Sequence, residues 1–124
     1  MKSNAPISDK ANALSSDELF EMANLYPRTT GLPMTVWVGP RGNARHDVRI
    51  KVNMAHGNQM TIDNVAVVGV RPTPHIIAGT LSANDERAVS EWVNLNASAI
   101  IKYWEGKIDT LELVQFLKRL PTAP

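Results

Sequence analysis

From Asp47 onward, Val48, Ile50 and Val52 take every second place, and Asp47, Arg49 and Lys51 stand between them. That period of two predicts a strand with one apolar face and one wet face. Met34–Val38 (MTVWV) is β-branched and aromatic, and Gly39–Pro40 ends it, which predicts a second strand. Val65–Val70 (VAVVGV) is almost wholly apolar, as expected of a strand covered on both sides. Residues 40–43 and 55–58 read as turns. Met60–Ile62 reads as the start of a strand, and His75–Ala78 as a short one between the Arg71–Pro74 break and Gly79.

The rest of the chain follows a helical period. Ser15–Glu18 places a hydroxyl and two carboxylates where a helix would begin. Leu19, Phe20, Met22, Ala23 and Leu25 then predict a short helix that Pro27 stops, with 28–33 as a loop. Ser82–Asp85 resembles a capping box ahead of a long helix over about 84–105. Its stripe is Val89, Trp92, Val93, Ala99, Ile100 and Tyr103, interrupted by Asn96. Gly106 suits the left-handed position after that helix. Asp109–Glu112 is a second capping box, opening a helix with Leu113, Val114, Phe116, Leu117 and Leu120 as apolar members and Pro121 as its stop.

Consecutive strands with short turns favour antiparallel pairing over crossovers. The expected fold is α+β: a small antiparallel sheet of three or four strands, covered on one face by the long C-terminal helix, with a short N-terminal helix and a terminal helix. Residues 1–14 read as a polar flexible tail and 15–124 as a single α+β domain. The length of 124 residues suits one domain, and 44% hydrophobic and 20% charged residues suit an ordinary core.

Three stretches together carry a resemblance. They are Pro27-Arg-Thr-Thr-Gly-Leu-Pro33, Gly42-Asn-Ala-Arg-His-Asp-Val-Arg-Ile-Lys-Val52, and Glu91-Trp-Val-Asn-Leu-Asn96 followed by Tyr103-Trp-Glu-Gly-Lys-Ile-Asp-Thr110. Over about residues 25–120 the chain resembles a group of short uncharacterised bacterial proteins. More distantly it is similar to a domain of unknown function found near toxin–antitoxin genes. That domain carries a His-x-His pattern near its strands, where this chain has His46 alone. The resemblance implies no activity.

Charge changes the picture more than composition does. The whole chain is +1, yet residues 28–71 hold six Lys/Arg and two acids, leaving −3 elsewhere. Arg41, Arg45, His46, Arg49 and Lys51 form a candidate phosphate-binding cluster, because a guanidinium offers a planar fork of donors. Asn96, at the edge of the apolar stripe, is either a buried polar anchor or a ligand contact. The histidines at 46, 56 and 75 lack metal-motif spacing, there is no cysteine, and no cofactor is implied. His46 and Asp47 are adjacent on a strand and so point apart.

There is no G-x-S-x-G elbow, Walker-type phosphate loop or dinucleotide fingerprint. The acids at 17–18 and 85–86 fit helix starts without any acid–base role. No stretch reads as a signal peptide or a membrane span, so a cytoplasmic location is expected. The leading reading is a non-enzymatic interaction or regulatory module with a protein partner or homodimer, using a sheet edge, an N-terminal arm or the final helix. The alternative is nucleic-acid binding through the basic face 41–51. A third reading is an enzyme that uses His46 on a phosphate-bearing substrate.

Overall fold

A computed structural model describes residues 22–61 and 63–121. Five strands form one sheet in the order β1 (Ala23–Leu25), β2 (Val36–Val38), β3 (Arg49–Asn53), β4 (Val65–Gly69) and β5 (His75–Ala78). Every neighbouring pair is antiparallel. A single-turn helix α1 (Pro27–Thr30) follows β1. The long helix α2 (Ala83–Trp104) and the shorter α3 (Thr110–Phe116) close the chain. The architecture is the expected α+β arrangement, with five strands in place of three or four.

The extra strand comes from the segment read as a helix. Ala23 and Leu25 are buried with Asn24 exposed between them, and they pair with Val38 and Val36. Over three residues a period of two cannot be told from one helical turn, and pairing with β2 decides it. The expected helix start and the 1–14 tail lie outside the described residues. Pro27 opens α1 instead of stopping a helix. Its missing N–H is no loss at a first helical position, and Gly31 at φ 83° ends the turn. Met60 and Thr61 are not in a strand. The β3–β4 connection is held by the fully buried Asn53, whose Nδ2 donates to the Thr61 carbonyl (3.1 Å) and hydroxyl (3.0 Å) while its Oδ1 accepts from Ala55 N (2.9 Å).

The alternation on β3 places the core. Val36, Val38, Val48, Ile50, Val52, Ala66 and Val68 share one face with Ala23 and Leu25, against the Val89, Trp92, Val93, Ile100 and Tyr103 stripe of α2. The opposite face is not wet as expected. Trp37, Val65 and Val67 are buried there, with Met22 packed against the first two, and Lys51 lies between Trp37 and Val67 in register. Lys51 is therefore only 7% exposed and Arg49 half-buried. A lysine stem tolerates apolar neighbours of this kind because its four methylenes cover them.

Helix ends follow the caps. Ser82 accepts from Asp85 N, and Asp109 with Glu112 forms the full reciprocal capping box. At the far end of α2, Lys107 N donates to Lys102 O and Gly106 N to Tyr103 O, with Gly106 at φ 78°. This is the Schellman pattern. α3 stops at Phe116, short of Pro121, because Leu117 turns extended and the chain beyond it is bonded elsewhere. Asn96 is the main holder of that chain: its Oδ1 accepts from Lys118 N, and its Nδ2 donates to Lys118 O and Trp92 O at 3.0 Å. Leu120 N donates to Thr30 O at 2.8 Å. In seven helical residues only Leu113 reaches the core fully, so Val114 and Phe116, expected there, are exposed.

Two stability outcomes follow from this packing. Trp92→Ala is expected to cost about 3–5 kcal/mol by the cavity it leaves. Trp92→Phe is expected to cost less, since the buried indole N–H makes no hydrogen bond among the described residues. Asn96→Ala is expected to cost about 1–3 kcal/mol, because it strips partners from both backbone groups of Lys118. Urea unfolding followed by tryptophan fluorescence measures all three.

Candidate anion-binding recess

Beyond Val38 the chain leaves the sheet, turns at residues 42–43, and returns into β3 at Arg49. Two bonds give this loop its shape. Ala44 N donates to Arg41 O at 2.8 Å, closing the turn, and Arg41 N donates to Trp104 O at 2.8 Å. The second bond uses a carbonyl that the end of α2 would otherwise leave without an intrahelical partner. It ties the loop to the helix end and sets the Arg41 guanidinium 5.5 Å from the centre of the Trp104 ring. The helix end carries partial negative charge, which also favours a cation there.

A second guanidinium stands at the same ring. Arg71 is 5.9 Å from the Trp104 centroid, on the far side of β4 in sequence from the loop. Its Nε donates to both carboxylate oxygens of Asp47 at 3.0 Å, and its Nη2 donates to Oδ1 at 2.8 Å. Hydrogen bonding from Arg71, then from the Val48 backbone, holds the Asp47 carboxyl below its ordinary pKa, and the same contact raises Arg71. Asp47 is thus engaged by a cation outside the cluster.

Between loop and sheet lies a recess of about 330 Å3. Its described walls include Met22, Gly39, Arg41, His46, Arg49, Lys51 and Trp104. Four of the five basic residues picked out from the sequence therefore meet at one cavity, and no carboxylate is among its described walls. Arg45 is exposed on the same loop without lining the recess. Asn96 is elsewhere: it is buried and clamps the C-terminal segment to α2. His46 Nδ1 lies 2.8 Å from the Asp47 carbonyl. A carbonyl only accepts, so this nitrogen carries the proton and Nε2 is the basic atom of the neutral ring. The Asp47 carboxylate turns away to Arg71. His46 and Asp47 both precede β3, which begins at Arg49, so the pairing with Arg71 and not strand alternation separates them.

Reasoning from the sequence missed Trp104 and Arg71 as parts of this site. In the sequence Trp104 falls at the end of the long helix and Arg71 in the Arg71–Pro74 break. What brings them in is the β3–β4 register and the helix-end bond to Arg41, neither of which has a local sequence signal. Among the described residues no His/Asp/Glu group is arranged to hold a metal ion, and no helix is long and apolar enough to cross a membrane. Compared with protein-family models, curated proteins and solved structures, the chain matches none. The site therefore rests on its own geometry.

The Asp47–Arg71 pair makes a pH prediction with a definite sign. A lowered carboxyl pKa means that the pair's contribution is present above the ordinary aspartate value and is lost as pH falls through the lowered one. Carbon-detected NMR of the Asp47 carboxyl is expected to show a midpoint below that of an unpaired aspartate. In Arg71→Ala the midpoint is expected to move back up.

Proposed function

We propose that the protein is a non-enzymatic binding module that takes phosphate groups of nucleic acid onto its basic recess. One observation carries this reading: Arg41, His46, Arg49 and Lys51 line a single cavity, and the nearest acid in sequence, Asp47, is bonded to Arg71. Arg45 extends the positive surface past the cavity rim, which suits a chain of phosphates better than one compact anion. Trp104 is almost buried, so its ring offers no platform for base stacking. The reading is therefore of backbone recognition with little sequence preference. An enzymatic role for His46 has less support, since its neighbouring carboxylate serves Arg71 and not the imidazole.

Fluorescence anisotropy with a labelled single-stranded oligonucleotide tests this. Affinity is expected to fall steeply with salt, with a log–log slope of about −0.7 per phosphate engaged. Arg41→Ala with Arg45→Ala is expected to weaken binding roughly tenfold at low salt and to flatten the slope by about 1 or more. Asp47→Asn is expected to act in the opposite direction and tighten binding, because it removes the carboxylate beside the cluster. Affinity that stays flat with salt, or that the double variant leaves unchanged, ends this reading.

A further inference from the structure

A second surface lies along the flank of α2. Among the described residues, four of the six exposed large hydrophobics fall on α2 and α3: Leu95, Leu111, Val114 and Phe116. Leu95 (42% exposed) and Phe116 (54% exposed) line a groove of about 250 Å3 together with Ala99. Single exposed hydrophobics need no explanation, but a group rimmed by polar residues marks an interaction surface. The volume is below the roughly 300–1,000 Å3 of small-molecule pockets. It suits an apolar side chain carried on a peptide.

Charge indicates what kind of peptide. Lys102 and Lys118 flank the groove, and no carboxylate is among its described walls. Neither lysine takes part in an ion pair among the described residues. Asn96 also lines the groove, but both its amide hydrogens and its oxygen are engaged by Trp92 and Lys118. It presents no spare donor, and the apolar floor is left with two ammonium groups at its rim. We propose that this groove docks an acidic amphipathic segment of another protein, with an apolar anchor between Leu95 and Phe116 and carboxylates facing Lys102 and Lys118. This is an interaction mode in which a few apolar anchors supply affinity and rim charges supply specificity.

The probe is a short labelled helical peptide with leucine and phenylalanine on one face and glutamates beside them, compared with a twin carrying lysines in place of the glutamates. The full chain is expected to bind the acidic peptide and not the basic one. Leu95→Asp, and separately Lys102→Glu with Lys118→Glu, are each expected to weaken binding roughly tenfold or more. All these positions are partly or fully exposed, and unchanged thermal melting by circular dichroism shows that the variants fold. Arg41→Ala with Arg45→Ala is expected to bind the acidic peptide as the unaltered chain does, which separates this surface from the recess. Equal binding of both peptides, loss of binding in the Arg41/Arg45 variant, insensitivity to Leu95→Asp, or a homodimer by sedimentation equilibrium that Leu95→Asp dissolves would each overturn the proposal.

Discussion

The apolar stripe of α2 lying on one face of the sheet is the contact on which every other feature depends. Val89, Trp92, Val93 and Ile100 are buried against alternate residues of β2, β3 and β4. Because side chains alternate along a strand, seating Val48, Ile50 and Val52 under α2 leaves Arg49 and Lys51 no choice but the opposite face. A slip of one residue in β3 would send both cations into the core and expel three aliphatic side chains. The position of Arg49 and Lys51 is thus a consequence of hydrophobic packing, with electrostatics acting only on what packing has already placed.

The same contact explains which parts of the molecule were legible in the sequence. The long helix, its Ser82 cap, the Gly106 terminator, the Asp109–Glu112 box and strands β3, β4 and β5 all announce themselves locally, through side-chain spacing or a backbone requirement. β1 does not, because three residues are too few to carry a period and their conformation is set by pairing with β2. Lys51 departs from its pattern for a related reason. Its own strand alternates as a half-wet strand should, but Trp37 and Val67 of the neighbouring strands flank it in register and are buried with it. At the site, the basic residues could be picked out by composition. Their convergence with Trp104 depends on a single backbone bond between residues far apart in sequence.

Two electrostatic effects compete at the recess, and their sizes decide the outcome. The carbonyl end of α2 disfavours an anion nearby by about 0.3–1 kcal/mol. Each charge-assisted hydrogen bond from a guanidinium to a phosphate is worth about 1.5–3 kcal/mol. Two such bonds therefore outweigh the helix end, and Trp104 O, the carbonyl closest to the loop, already has the Arg41 N–H as its partner. The helix end does more to hold Arg41 in place than to repel what Arg41 would bind.

α2 also links the recess to the groove on its flank. The recess lies at its C-terminal end through Trp104, and the groove runs beside Leu95, Ala99 and Lys102. Of these surfaces, the recess depends on the loop bond to Trp104, whereas the groove depends on Asn96 holding the segment after α3. The bonds that form them share no residue. One surface can therefore be dismantled by substitution while the other is kept.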